Sequence, residues 1–278
     1  MTASAEPAAA PLLVALDVDG TIVNHDGHLS PRVREAVAAL DDLPHVTVVI
    51  ATGRSVIATL PVLEQLGLAT HRRPVVCSNG AVTVAATPGG ASSFELLDVV
   101  TFDPAPAIAL VRTHLPTALV AVEEIGVGFK VSTPFPEGEL WGEEIVVPVE
   151  ELTARPATRV TFREPDLSSE DFTALVERIG LHGVAYAVGW SAWLDLAPEG
   201  VSKASALELV RRQLDIEPHR TIAVGDQRND IEMLHWAAVG YAMGQAPEEV
   251  LRAADRTTGS VDEDGLADAL DEVLDELA

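Results

Sequence analysis

At both ends of the chain, short continuous runs of hydrophobic residues alternate with segments in which hydrophobic residues recur at helical spacing. Apolar runs of strand length occupy residues 12–17, 46–51, 75–78, 221–225 and 239–243. Segments with helical periodicity lie between them, from Ser30-Pro31 to about 41, over 55–66, over 202–214 and from near Asn229. Ser30 before Pro31 is a helix start signal, and Gly67 is a stop signal. Buried strands that alternate with amphipathic helices predict an α/β fold with a Rossmann-like parallel sheet.

The middle of the chain has a different pattern. The stretch TPGG at 87–90 predicts a hairpin turn. Beyond it we predict helices at 104–114 and 169–179, and strands near 118–123, 128–132, 158–162 and from 185. This mixture indicates an α+β domain inserted into the α/β domain. The predicted division is a tail over 1–10, a core formed by 11–97 with 191–278, and an insertion over 98–190.

Composition and charge narrow the classes of function. The 278 residues are 47% hydrophobic and 22% charged, which is typical of a globular protein with a sizeable core. A net charge of −25 argues against nucleic acid and anionic membranes as partners, because both require clustered cations. Cys77 is the only cysteine, and the N-terminal stretch lacks the basic residues of a signal peptide. We therefore expect a cytoplasmic protein.

Polar residues follow each predicted strand of the core. Ligands of open parallel sheets bind beyond the carboxyl ends of the strands. The residues at these positions are Asp17, Asp19, Gly20 and Thr21; Thr52, Gly53 and Arg54; Ser78, Asn79 and Gly80; and Asp226, Asn229 and Asp230. Their convergence on one edge predicts a functional site.

Four carboxylates are expected in this site. Asp17 and Asp19 are one residue apart in DVDGT, so an extended chain would direct both side chains to the same side. Asp226 and Asp230 are four residues apart at a predicted helix start, which would place them on one helix face. Clustered carboxylates need a cation, and an all-oxygen ligand set suits Mg²⁺.

Lys203 is unusual because nearly all basic residues of this chain are arginines. The chain has sixteen arginines and only two lysines, Lys130 and Lys203. Lys203 lies in the first turn of a predicted helix, where the helix dipole disfavours a positive charge. The placement indicates a need for a compact point charge at this position.

The ordered motifs resemble those of the haloacid dehalogenase superfamily. They are DVDGT at 17–21, Thr52 in ATGR, Lys203, and GDQRND at 225–230, with the insertion after NGA at 79–81. The place and character of the insertion resemble the Cof-type phosphatases, which carry a type IIB cap. Gln227 stands where the family more often has glycine.

The resemblance implies a role for each motif. Asp17 would attack the phosphorus of a phosphomonoester, and Asp19 would act as general acid and base. Mg²⁺ would be held by Asp17, the backbone carbonyl of Asp19, Asp226 and Asp230. Thr52 and Lys203 would bind the phosphoryl oxygens, and Gly53, Arg54, Asn79 and Asn229 are further candidates for substrate binding. The implied substrate is a small phosphorylated metabolite, either a sugar phosphate or a cofactor phosphate.

Other interpretations remain beside the phosphatase. A phosphomutase or phosphotransferase would use the same aspartyl-phosphate, with a cap that excludes water. Phospho-accepting receiver modules also combine Asp, Thr and Lys on a parallel sheet, but they are far shorter. A protein that only binds phosphate ligands is disfavoured, since every catalytic position is present. Cap residues should select the substrate, with Lys130, Arg159, Trp190 and Trp193 as candidates.

Overall fold

The computed structural model describes residues 9–89, 93–179, 184–188 and 192–277. The strands within these ranges are β1 (Leu12–Leu16), β2 (Val46–Ala51), β3 (Arg73–Cys77), β4 (Val82–Ala86), β5 (Phe94–Val99), β6 (Leu119–Glu124), β7 (Gly128–Val131), β8 (Glu143–Val146), β9 (Val160–Arg163), β10 (Val184–Val188), β11 (Trp193–Pro198), β12 (Thr221–Gly225), β13 (Val239–Ala242) and β14 (Arg256–Thr257). The α-helices are α1 (Pro31–Asp41), α2 (Val56–Leu66), α3 (Ala105–His114), α4 (Val149–Leu152), α5 (Ser169–Ile179), α6 (Lys203–Gln213), α7 (Ile231–Trp236), α8 (Glu248–Ala253) and α9 (Gly265–Leu277).

The chain forms two compact units. The first comprises Met1–Ile50 and Glu208–Ala278, and the second comprises Ala51–Leu207. The predicted division into a core and an insertion stays a prediction. The predicted tail falls largely outside the described residues, which begin at 9.

Parallel strands form the sheet of the first unit. Their order is β14-β13-β12-β1-β2, and all neighbouring pairs are parallel. Every residue of β1 and β12 is buried, as expected for central strands covered on both faces. Because neighbouring strands run in the same direction, the residues that follow β1 and β12 lie at the same edge of the sheet. The prediction of an α/β fold with a parallel core is confirmed.

Helices α1 and α9 pack against each other in the first unit. Helix α1 begins as predicted, with the Ser30 hydroxyl accepting a hydrogen bond from the backbone N–H of Val33 and proline in the first turn. Helix α9 buries Leu266, Leu270 and Val273 and exposes its acidic residues. The acidic C-terminal stretch is therefore the solvated face of a helix.

The second unit is largely antiparallel. Strands β3, β4 and β5 pair in sequence as antiparallel neighbours. The TPGG stretch lies between β4 and β5, as a hairpin requires, and residues 90–92 of this connection lie outside the described residues. A six-stranded sheet has the order β10-β11-β9-β6-β7-β8, in which only β7 and β8 are parallel. Its core includes Ile108 and Val111 from α3, Phe172 from α5, and Phe162 and Leu194 from the sheet. The predicted α+β character of the middle is confirmed.

No helix in the described part of the chain is long and apolar enough to cross a membrane.

Candidate functional site

Three buried carboxylates gather where β1 and β12 end. Asp17 follows β1, and Asp226 and Asp230 follow β12. Their exposed fractions are 4%, 1% and 0%, and one ligand oxygen from each lies within 4.8 Å of the others. The parallel pairing of β1 with β12 brings these oxygens together, since both strands end at one edge of the sheet.

Asp230 orders the loop that carries Asp226. Its Oδ2 accepts hydrogen bonds from the backbone N–H groups of Asp226, at 3.0 Å, and Gln227, at 2.9 Å. Residues Arg228–Asp230 form one turn of 3₁₀-helix, and α7 begins only at Ile231. The prediction that Asp226 and Asp230 share a helix face is wrong, because Asp226 precedes the helix and the Asp230 carboxylate turns back to cap the loop.

Two side-chain amides bind the Asp226 carboxylate. Gln227 Nε2 donates to Oδ2 at 3.1 Å, and Gln245 Nε2 lies 3.3 Å from the same oxygen. Gln245 also donates to the Gly20 carbonyl at 2.7 Å, which ties the loop after β1 to Asp226. Sequence reasoning missed Gln245, although the rule that polar residues after strands mark a site extends to the segment after β13.

Gly20 leaves the space that the Asp226 carboxylate occupies. Its φ is +82°, and a Cβ built on it would overlap Asp226 Oδ2. Only glycine meets both conditions without strain.

Asp19 lies outside the carboxylate group. Strand β1 ends at Leu16, and Asp19 lies in the turn that follows, in an isolated bridge with Val23. Its side chain is exposed. Of the four carboxylates predicted for this edge, three lie within 4.8 Å of one another, and the Asp19 carboxylate is not one of them. The extended strand that would align Asp17 and Asp19 ends at Leu16, before either residue.

The three carboxylates fit a divalent cation. Buried like charges at this separation repel unless a cation or shared protons compensate them. The donor set contains only oxygen, which favours hard cations such as Mg²⁺, Ca²⁺ or Mn²⁺ over zinc or copper. Asp17, Asp226 and Asp230 could therefore hold a hard divalent ion.

The second unit carries Thr52, Gly53, Arg54 and Asn79 on two loops joined by backbone hydrogen bonds. Thr52 is fully buried, and its Oγ1 accepts a hydrogen bond from the Arg54 N–H at 3.1 Å. The Asn79 N–H donates to the Thr52 carbonyl at 3.0 Å, and the Ser78 N–H donates to the Arg54 carbonyl at 2.8 Å. The loops after β2 and β3 thus form one hydrogen-bonded structure.

The loop after β3 has an unusual backbone. Ser78, Asn79 and Gly80 have φ values of +50°, +54° and +99°. Non-glycine residues rarely adopt this region, and such backbones are concentrated at functional sites. A Cβ on Gly80 would overlap the Ser202 carbonyl and lie 3.3 Å from the backbone nitrogen of Lys203. Gly80 therefore lets this loop approach the start of α6.

Lys203 is the first residue of α6 and is 1% exposed. The prediction that it lies in a first helical turn is confirmed. Asn229 is half-buried beside Asp230 in the first unit, and Arg54 and Asn79 are half-buried in the second unit. Cys77 is fully buried, and burial raises its thiol pKa to about 12, so the thiolate needed for a nucleophile is not populated at neutral pH.

The candidate cap residues differ in their surroundings. Lys130 pairs with Glu124 at 3.3 Å and with Glu151 at 3.0 Å. Trp193 packs edge-on against Phe135, with their ring centroids 6.0 Å apart. Trp190 lies outside the described residues.

Comparison with known proteins identifies the family. A model of the haloacid dehalogenase-like hydrolases matches residues 14–98 and 143–270. The chain is 31% identical over 266 residues to a phosphoglycolate phosphatase of Natronomonas pharaonis, covering 94% of this chain and 97% of that protein. It is 28% identical over 271 residues to the 5-amino-6-(5-phospho-D-ribitylamino)uracil phosphatase YitU of Bacillus subtilis, covering 94% of this chain and 97% of that protein.

A solved structure of a sugar phosphatase from subclass IIB of this superfamily has the same fold. Its TM-score is 0.77 at 23% identity, and the alignment covers 94% of this chain and 98% of that chain. The chain belongs to the haloacid dehalogenase-like hydrolases, with the fold of their subclass IIB members, as its strand-end motifs indicate.

Proposed function

We propose that the protein is a Mg²⁺-dependent phosphomonoesterase that hydrolyses a small phosphorylated metabolite through an aspartyl-phosphate on Asp17. The observation that carries the proposal is the group of three buried carboxylates at the ends of two adjacent parallel strands. Family membership supports it, and so do relatives named as phosphatases of phosphoglycolate and of a phosphoribitylamino-uracil.

The reaction has two displacement steps at phosphorus. A carboxylate oxygen of Asp17 attacks phosphorus while the bond to the ester oxygen breaks, and Asp19 gives its proton to the leaving oxygen. In the second step a water attacks phosphorus, Asp19 accepts a proton from that water, and the Asp17 carboxylate leaves. The products are the alcohol and inorganic phosphate.

Asp17, the backbone carbonyl of Asp19, Asp226 and Asp230 would hold Mg²⁺. When bound, the ion supplies positive charge that offsets the phosphoryl oxygens and the carboxylates. Asp230 also keeps Asp226 in place through the two backbone N–H groups that it accepts.

Residues beyond the three carboxylates complete the proposed site. Lys203 and Thr52 would bind the phosphoryl oxygens, with Gly53, Arg54, Asn79 and Asn229 as further contacts to substrate. Buried cations and hydroxyls of this kind stabilise charge on the transferring group. Assembly of these residues with the carboxylates into one site is part of the proposal.

The cap belongs to the same proposal. We assign 11–97 and 191–278 to the core, 1–10 to a tail, and 98–190 to a type IIB cap that covers the site and contacts the organic part of the substrate. A single buried cysteine is in keeping with a reducing cytoplasm. The substrate class we favour is a sugar phosphate or a cofactor phosphate.

Phosphate release tests the proposal. Purified protein should release inorganic phosphate from p-nitrophenyl phosphate and from members of a panel of phosphorylated metabolites in the presence of Mg²⁺. Asp17→Asn should abolish turnover with the fold retained, because the amide cannot attack phosphorus. Asp275→Asn is the matched control, since it removes one charge from an exposed position of α9.

Two results would contradict the proposal. Turnover by Asp17→Asn, in protein free of host phosphatases, would exclude the covalent step on Asp17. Release of the alcohol without an equal amount of phosphate, together with a phosphorylated acceptor, would indicate a phosphotransferase or phosphomutase instead.

A further inference from the structure

Side chains of the six-stranded sheet hold both loops of the second unit that carry predicted substrate-binding residues. Arg159, directly before β9, donates from Nη1 to the Gly53 carbonyl at 3.0 Å. Glu123, on β6, accepts the hydroxyl of Ser78, whose oxygen lies 2.9 Å from Oε1 and 2.7 Å from Oε2. The two contacts join positions 106 and 45 residues apart in the chain.

Arg159 is held in one orientation. Its Nε and Nη2 bind the two oxygens of Asp195 at 2.9 and 2.8 Å, in the bidentate geometry that is strongest for arginine. Thr161 donates to the same carboxylate at 2.7 Å, and the guanidinium lies 5.9 Å from the centre of the Phe129 ring. The Arg159 side chain is 11% exposed. With three donors already used inside the protein, Arg159 is better suited to hold the Gly53 loop than to select a substrate.

The Glu123 side chain is also buried and held by several hydrogen bonds. It is 6% exposed, and it accepts a second hydroxyl, that of Thr158, at 3.1 Å. Burial raises the pKa of its carboxyl group, and the charge of Arg159 opposes this effect. Its partner Ser78 has a φ of +50°, a conformation that costs a non-glycine residue free energy and needs support from its surroundings.

We infer that Arg159 and Glu123 are positioning residues, through which the six-stranded sheet sets the geometry of the loops that carry Thr52, Gly53 and Asn79. The inference rests on the proposed phosphatase function and goes beyond a cap that only covers the site. Arg159 fixes the Gly53 carbonyl and thereby the turn between Thr52 and Arg54. Glu123 fixes Ser78 and thereby the left-handed turn that places Asn79.

Kinetic constants test the inference. Arg159→Lys keeps the approximate size of the side chain but removes the guanidinium fork. Glu123→Gln keeps the size but replaces the charged acceptor of the Ser78 and Thr158 hydroxyls with a neutral amide that has only one acceptor oxygen. We expect kcat/KM for p-nitrophenyl phosphate to fall about 10- to 100-fold, because small misplacements of binding groups cost this much. Inhibition by inorganic phosphate should weaken in the same variants, since the affected loops are those proposed to bind the phosphoryl group.

Each variant has a matched control in the same sheet. Arg163 also pairs with a carboxylate, that of Glu139 at 3.0 Å, and Glu164 is a 3% exposed carboxyl that accepts the Thr117 hydroxyl at 2.8 Å. Neither has a contact to the two loops among the hydrogen bonds described. Arg163→Lys and Glu164→Gln should therefore keep kcat/KM and phosphate inhibition. If Glu123→Gln does not fold, Ser78→Ala removes the same contact from the loop side.

Hydrogen exchange separates this inference from the proposed function. The amides of residues 52–54 and 78–81 should exchange faster in Arg159→Lys and Glu123→Gln, and at the native rate in the controls. Unchanged exchange and unchanged kinetics in the two variants would overturn the inference. Faster exchange with no phosphate release even from the native protein would support the positioning contacts and refute the phosphatase.

Discussion

At the residue scale, Gly20 shows how the site constrains a single position. Its φ of +82° and the overlap of a Cβ with the Asp226 carboxylate are separate costs. Gly27 has a similar φ of +74°, but a Cβ there would meet nothing within 4 Å. A comparison of substitutions at the two glycines therefore distinguishes the cost of backbone strain from the cost of displacing Asp226, a proposed metal ligand.

We predict that Gly20→Ala loses more stability than Gly27→Ala. Both substitutions should cost about 1 kcal/mol of the free energy of unfolding from backbone strain. Gly20→Ala must in addition move the Asp226 carboxylate, so it should also weaken any stabilisation by divalent cations. Urea unfolding with and without MgCl₂ measures both effects. Equal losses and an equal response to Mg²⁺ in the two variants would show that the overlap is relieved without moving Asp226.

At the scale of elements, Glu208 links α6 to α7. Its oxygens accept hydrogen bonds from Arg211 Nε at 2.8 Å, Arg212 Nε at 2.6 Å and Trp236 Nε1 at 3.0 Å. These donors, Arg211 foremost, hold the pKa of the Glu208 carboxyl well below its ordinary value. A lowered pKa in the folded state means that ionised Glu208 stabilises the fold above its unfolded pKa, and that this contribution falls as the pH drops toward the folded pKa.

We therefore predict a pH-dependent effect of Glu208→Gln. At pH 7 the variant should lose about 1 kcal/mol of the free energy of unfolding, because three donors lose a charged acceptor. The difference from the native protein should shrink as the pH is lowered below about 4.5, where the unfolded carboxyl becomes protonated. Glu248→Gln, in an exposed pair with Arg252 at 3.3 Å, is the control and should change little. A difference that stays constant down to acid pH would contradict the assignment.

Elements with local signals could be predicted from the sequence. Helix α1 has its cap at Ser30, α2 stops at Gly67 with a φ of +77°, and β2 and β12 are continuous apolar runs. Strand β8, with the sequence EEIV, was missed because two of its four residues are charged and its stability comes from pairing with β7. Strand β11 was missed because it includes Asp195, whose partner Arg159 is distant in sequence.

The candidate site also contains residues whose positions could be predicted from the sequence and residues whose positions could not. Asp17 and Asp226 could be predicted because each directly follows an apolar strand and parallel strands end at one edge. The position of the Asp19 side chain could not be predicted, because it depends on where β1 ends and the chain turns. The contacts of Glu123 with Ser78 and of Arg159 with Gly53 also have no local signal, since they join distant segments through the tertiary fold.

At the scale of the whole molecule, charge determines how a test for metal binding must be designed. The chain carries a net charge of −25 at pH 7. Self-repulsion of this size destabilises the compact state, so any dissolved salt should stabilise the protein by screening. An increase in Tm on adding MgCl₂ is therefore no evidence of a bound ion unless screening is matched.

We predict that Mg²⁺ stabilises the protein beyond NaCl of equal ionic strength. A ligand that binds only the folded state adds about 2.7 kcal/mol to the free energy of unfolding at 100 times its Kd. The additional stabilisation by Mg²⁺ should vanish when EDTA is added. It should also vanish in Asp226→Asn, which removes one charge from the buried group of three carboxylates. It should persist in Asp275→Asn, which removes one charge from the exposed face of α9. Tm measured across a MgCl₂ titration in each protein separates the two contributions. Equal Tm values in MgCl₂ and NaCl for the native protein, or an undiminished excess in Asp226→Asn, would place the effect in general screening and refute binding at the three carboxylates.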